Sequence, residues 1–456
     1  MHQDDADMSG RKLGEAGRGR VRCPIHMTRR ARSFASMSLL ALPLLAACGG
    51  QVEETATAPA PGDVRWVRQG HGEHVGLVDL VVASDGHVVV SGAFQGTVDL
   101  GGATLHEVAP LPPWTTFVAE LDGDGAPLWN ERFLGEQGPV SGVVALGPDG
   151  AIHWTGSDMD ATVFGSGPVV KRTFFVKLDA AGRLVWNPGF EGIYGNGVAI
   201  GVASNGDVVV GGTYGGALDL GGGPLPAPPL PASGVFLAKL DAGGHHLWSR
   251  SLGVGTLSGI AVAPDGRSAV VGSLQGPRMS LRAIFLFDPS GAQVWEKDLA
   301  LTEATTAFSM RRVAFGDAGS VVVTGDHSGT VDLGAGPLTG VDSGFVAKYS
   351  ASGALLWTRR FGDLDPALTT DALGNTWLAS GAPAGAAVVV TRLDASGTPR
   401  WARTFPNAAP SWTFVSDLAS DASGAPYLVG TFSGTNALDR RVTTSGEDVF
   451  LAKLSP

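Results

Sequence analysis

The residues able to do chemistry are few. His71-Gly72-Glu73-His74 puts two imidazoles and a carboxylate within four residues, donor types that suit a divalent metal. That stretch reads as a loop. No helix fixes both rings on one face, as a His-Glu-x-x-His site requires, so no metal is expected there. His245-His246 falls inside a glycine-bearing turn and is expected to be exposed. Asp99, Asp219 and Asp332 recur in loops reading Asp-Leu-Gly. A calcium loop wants several oxygens at alternate positions, and each of these loops offers one. A turn-forming role, the carboxylate accepting from nearby backbone N–H groups, fits better. Asp122-Gly123-Asp124-Gly125 comes nearest to a calcium pattern, but its sister turns lack the second acid. The chain has no Gly-x-Ser-x-Gly, no Walker loop and no Cys-x-x-Cys-His. We therefore expect no catalytic residue, no metal and no cofactor.

Cysteine supplies the one specific chemical motif. Met27 is followed by Arg29, Arg30 and Arg32, then by an apolar run near Met37–Leu45, then by Leu45-Ala46-Ala47-Cys48. A basic stretch, a short apolar stretch and small residues before a cut describe a secretion signal, and the apolar run is too short to span a bilayer. Leu-Ala-Ala-Cys resembles the lipobox of bacterial lipoproteins. The resemblance implies that Cys48 carries lipid and begins the mature chain, with residues 1–47 as the signal region and Met27 as the better start. Gly49 rather than Asp after the Cys implies, by analogy with sorting in enteric bacteria, an outer-membrane or cell-surface destination. Cleavage removes Cys23, the other cysteine, and leaves no thiol for a disulfide, a thiolate site or covalent catalysis. Residues 1–47 hold eight Lys/Arg against four Asp/Glu, so the remainder is more acidic than the net charge of −11. Such a body disfavours nucleic acid and disfavours docking on anionic lipid, leaving the anchor as the only expected membrane contact. Gln51–Asp63 is rich in Ala, Thr and Pro, and 48–63 reads as a tether.

Everything from Val64 onward is organised by a repeat. LDAGGHHLW (240–248) returns as LDGDGAPLW, LDAAGRLVW, FDPSGAQVW, YSASGALLW and LDASGTPRW. Gly125, Gly182, Gly244, Gly291, Gly353 and Gly397 each stand four residues before Trp129, Trp186, Trp248, Trp295, Trp357 and Trp401. An apolar run, a turn with glycine and a second run opening near a Trp read as a β-hairpin. A second hairpin precedes each, as in VASDGHVVV (82–90) and VASNGDVVV (202–210). One repeat is thus four strands, and a sheet apolar on both faces must stack on its neighbours. This predicts a seven-bladed β-propeller over 64–456, with four antiparallel strands per blade. The seventh repeat ends without its Gly-x-x-x-Trp strand, while Gly62 and Trp66 keep that spacing at the other end. The strand around Trp66 is expected to complete the last blade and close the ring, which removes exposed edges.

The connections between second and third strands are long and irregular, as in 96–114 and 216–233. Binding residues favour such loops on rigid scaffolds. The Pro-rich stretches 107–114 and 223–231, with Trp114, are the expected contact surface. The units around 218–253 and 331–362 resemble bacterial β-propeller-repeat (SBBP-like) proteins, which implies a secreted or surface propeller and brings no catalytic residues. The Asp-x-x-Gly-x-x-x-Trp turn also resembles the tryptophan-docking motif of quinoprotein propellers, whose dehydrogenases use a quinone and calcium, but the vicinal cysteines and haem motif are missing. The expectation is a monomeric, lipid-anchored binding or scaffolding module whose partner is an envelope protein, a glycan or peptidoglycan. The alternative is a propeller enzyme (lyase, hydrolase or quinoprotein-like oxidoreductase) with its site at a central channel mouth.

Overall fold

The computed structural model describes residues 59–456 except 103, 107–114, 136–141, 158–161, 164–172, 189–198, 230, 276–279, 301–304, 306, 362–365 and 382–386. Residues 1–47, Cys48 and Trp114 lie outside the described residues. Among the described residues the chain is all β, with no α-helix and one short 3-10 turn at Asp317–Gly319.

The second repeat shows the unit at its simplest. Gly142–Leu146, Ile152–Ser157, Thr173–Leu178 and Leu184–Trp186 lie side by side, each antiparallel to the next. The fifth repeat builds the same sheet from Ala307–Phe315, Val321–Asp332, Pro337–Tyr349 and Leu355–Phe361. The sixth builds it from Ala367–Thr370, Thr376–Gly381, Ala387–Leu393 and Pro399–Pro406. Two long strands each serve two sheets. His246–Val262 pairs first with Gly234–Leu240 of the third repeat and then with Ser268–Gln275 of the fourth. Val64–Val82 pairs through 64–70 with Thr443–Leu454 of the seventh repeat, and through 71–82 with Val88–Asp99 of the first. Trp66 stands opposite Lys453, and Asp79 opposite Ser91.

The second and third strands of a sheet are covered on both faces, so they read as continuous apolar runs rather than alternating ones. Val208, Val209 and Val210 are all fully buried. The outer strand alternates instead: Leu356 is 54% exposed beside the buried Trp357. The core lies between successive sheets. One cluster joins Val88 and Phe117 of the first repeat to Tyr427 and Val449 of the seventh, and another joins Phe175 of the second to Val208 and Phe236 of the third.

The hairpin turns explain their sequence. Asp241 Oδ1 accepts from the N–H groups of Gly243 and His245, both at 2.9 Å, while Gly244 turns the chain at φ +85°. Asp179, Asp288 and Asp394 make the same pair of bonds. Ser350 substitutes its hydroxyl, which accepts from Ala354 N–H at 3.0 Å. The bonds favour the ionised form. The Ser396 hydroxyl, with the Thr398 and Ser396 amides, holds Asp394 down to about 2.

A lysine near the end of the third strand ties the two hairpins of a sheet together. Lys177 pairs with Asp149 at 2.9 Å, Lys239 with Asp207 at 2.8 Å and Lys453 with Asp421 at 3.1 Å; Lys348 pairs likewise with Asp317.

Candidate functional site

The recurrent Trp and Gly meet between repeats. A methyl group placed on Gly291 would lie 2.7 Å from the Trp248 ring. The same close approach joins Trp66 to Gly125, Trp129 to Gly182, Trp186 to Gly244, Trp295 to Gly353 and Trp357 to Gly397. Trp401 lies against Gly62, so the series of contacts returns to the N-terminal strand. Five indole N–H groups donate to a carbonyl of the next turn: Trp129 to Ala180, Trp186 to Ala242, Trp248 to Pro289, Trp295 to Ala351 and Trp357 to Ala395, at 3.0–3.2 Å. The indole nitrogens of Trp66 and Trp401 are buried and find no acceptor. The residue two beyond the Trp reinforces the contact. Arg68 donates to Asp124 O at 2.7 Å and Arg359 to Gly397 O at 3.1 Å. These residues are occupied in packing one sheet on the next.

The metal-type residues of the sequence are not brought together. His71 Nδ1 lies 2.9 Å from the buried Asp448 carboxylate, which also accepts from Gln69 at 2.6 Å. His74 is exposed, and the side chain of Glu73 lies outside the described residues. His245 bonds to Asp241 of its own turn, and His246 Nε2 to Ser249 Oγ at 3.1 Å. Asp219 Oδ1 accepts from Gly221 and Gly223 N–H at 2.8 and 3.0 Å, and Asp332 Oδ1 from Gly334 and Gly336 at 2.7 and 3.1 Å. Asp99 Oδ1 accepts from Gly101 at 2.7 Å. Among the described residues, no group of three or more His, Cys, Asp or Glu converges as a metal site. Of the Pro-rich stretches, 223–231 is described apart from residue 230, and Pro226 O accepts from the Tyr214 hydroxyl at 2.7 Å.

A different set of residues does converge. The first strand of every repeat contributes to one cavity of about 680 Å³, lined among others by Asp79, Val144, Ile200, Ile260, Arg312, Leu368 and Asp417. Seven residues before the glycine of the first turn, the repeats carry Asp79, Val143, Ala199, Gly259, Arg312, Ala367 and Asp417. Four are apolar or small, and the three charged ones make a single network. Arg312 donates to Asp417 Oδ1 at 2.9 Å and to Ser416 O at 2.6 Å. Asp417 Oδ2 accepts from Leu80 N–H at 3.2 Å, and Asp79 Oδ2 from Val144 N–H at 2.7 Å. Each carboxylate thus bonds to the first strand of the following repeat. Burial first, and then the neighbouring Asp417 carboxylate, push the Asp79 carboxyl well above its usual range. No local motif marks this set. Aligning the repeats on their turn glycines makes it visible, because three charges break an otherwise apolar position.

No protein-family model matches the sequence, and no curated protein matches it. Solved structures similar to it include the propeller of Dos1, with 10% identity and a TM-score of 0.47 over 86% of this chain and 96% of that one. YCF48 bound to D1 peptide gives 11% identity and a TM-score of 0.43 over 87% and 100%. The polysaccharide lyase Uly1 gives 10% and 0.45 over 84% and 90%. At this level of likeness neither a residue role nor an activity passes from them to this chain.

Proposed function

We propose that the protein is a lipid-anchored, extracytoplasmic seven-bladed β-propeller that acts as a non-catalytic binding or scaffolding module at the cell envelope. Each four-stranded sheet is one blade, and the strand around Trp66 completes the seventh and closes the ring. The pairing of 64–70 with 449–454 and the contact of Trp401 with Gly62 support that closure. The lipobox at Cys48 supports the anchor.

The observation that carries the functional reading is the cavity formed by the first strands. It has the size of a small-molecule site, and its charged side chains already have partners: Arg312 pairs with Asp417, Arg311 with Asp326, and Asp79 accepts from Val144 N–H. Among its described lining residues, no hydroxyl or thiol is paired with a base to act as a nucleophile. The long-loop rim, with 107–114 and 223–231, is the surface for a macromolecular partner of the envelope.

Two experiments test the reading. Cys48→Ser should move the protein from the membrane fraction to the soluble one; equal retention of both forms would remove the anchor. The full chain in detergent, offered envelope extract, should capture a partner that a variant lacking 107–114 and 223–231 loses. Capture by both forms would move the surface elsewhere, and capture by neither, with both folded, would remove the scaffold.

A further inference from the structure

The cavity has two unlike walls. The second, third and fourth repeats give it Val144, Ile200 and Ile260, while the first, fifth and seventh give it Asp79, Arg312 and Asp417. Arg312 spends two of its N–H groups on Asp417 and Ser416. A guanidinium has five, and its others meet no acceptor among the described residues. Its side chain is 32% exposed, and it lines the cavity. Being held by two acceptors, the fork is fixed in orientation before any ligand arrives, which favours recognition of a planar carboxylate. Beside it stand the carboxyl oxygens of Asp79 and Asp417, which accept. The guanidinium and the two carboxyls thus offer opposite signs side by side. A lone anion would meet the carboxyls beside the guanidinium, and a lone cation the guanidinium beside the carboxyls, and such like-sign contact is costly. A ligand bearing both signs avoids both.

We propose that this cavity binds a small zwitterion with an apolar body, in the class of an aliphatic α-amino acid or its dipeptide. The ligand carboxylate takes the open N–H groups of Arg312, the ammonium takes the oxygens of Asp79 and Asp417, and the aliphatic side chain lies on Val144, Ile200 and Ile260. This rests on the reading of the cavity as a ligand site and names what fills it.

The test is titration calorimetry on the full chain in detergent with L-leucine, Nα-acetyl-leucine, leucinamide and leucyl-leucine. Leucine or its dipeptide should bind, and each blocked analogue should bind about tenfold or more weakly, since each loses one charge-assisted contact. Asp79→Asn retains an acceptor for Val144 N–H, so the fold should survive. It should weaken leucine and leucinamide while leaving acetyl-leucine unchanged. Arg312→Lys should weaken leucine and acetyl-leucine. Blocked analogues that bind as well as leucine would overturn the proposal. So would absence of binding by leucine and its dipeptide to folded protein. If a partner were still captured on the rim in that case, the binding-module reading would stand and only this inference would fall.

Discussion

Replacing Gly291 by Ala tests whether the Trp–Gly contacts hold the sheets together. Two costs arise. The residue sits at φ +79°, a left-handed conformation that strains any side chain, by roughly 1–2 kcal/mol. The new methyl would meet Trp248 at 2.7 and 2.8 Å, so the ring must retreat by about half an ångström or more to reach ordinary contact. Its bond to Pro289 O, already 3.2 Å, lengthens as it goes. Such overpacking costs about 1–3 kcal/mol, against a gain of about 0.4–1 kcal/mol from the stiffer unfolded chain. The net expectation is about 2–4 kcal/mol. Two controls separate the terms. Gly223 has φ +95° but nothing within 4 Å of a new methyl, and Gly76 has neither feature. Gly223→Ala should cost about 0–1.5 kcal/mol, and Gly76→Ala should be neutral or slightly stabilising. Denaturant unfolding followed by tryptophan fluorescence and circular dichroism gives the comparison. If Gly291→Ala were no more destabilising than Gly223→Ala, the docking contact would not be part of what stabilises the fold.

The indole bonds give a second comparison. Trp248→Phe should cost about 1 kcal/mol more than Trp66→Phe, because Trp248 donates to Pro289 while the Trp66 nitrogen has no acceptor; equal costs in matched melts would show that the bond contributes nothing. The pair of Lys239, 5% exposed, with Asp207 at 2.8 Å predicts that Asp207→Asn costs about 3–5 kcal/mol by leaving the buried ammonium without its counter-charge, bonded only to the Pro289 carbonyl at 3.3 Å. The double replacement with Lys239→Met should recover much of it, and failure to recover would argue that the pair is not what the site needs. Asp79 carries a raised carboxyl in the folded state, so its proton is bound more tightly there than in the unfolded chain. Its stabilising contribution is complete below about pH 4 and is lost as pH rises through the raised folded value. Asp79→Asn cannot ionise and should therefore gain on the wild type as pH increases across that window. Melting temperatures that track each other at every pH would show that the Asp79 carboxyl is not raised in the folded state.

The strands, their order and their stacking were legible in the sequence because they follow from local rules. Asp-x-x-Gly needs a left-handed glycine and an acceptor for two backbone amides, and both are read from residue types alone. Consecutive valines, as at 208–210, mark strands covered on both faces. The spacing of Gly62 and Trp66 gave the partner of the last sheet, because a strand that completes a repeat must carry the repeat's own residues. The roles of Asp99, Asp219 and Asp332 were legible for the same reason: a short acid before glycines bonds its own turn.

The candidate site was not legible in that way. Asp79 lies 233 residues before Arg312, and Arg312 lies 105 before Asp417, and each alone looks like a polar residue in a strand. What they have in common is one register position, counted back from the turn glycine of their repeats. Only the tertiary arrangement brings the first strands of all the sheets around one cavity. There Arg312 comes within 2.9 Å of Asp417 across the sequence distance. Periodicity sets which face a side chain takes; it does not set which other strand that face will meet. The sequence could therefore determine the repeat and its turns, where every partner is a near neighbour in the chain. The cavity and its charge network were decided by the meeting of strands far apart in sequence, where the partner depends on the whole stack.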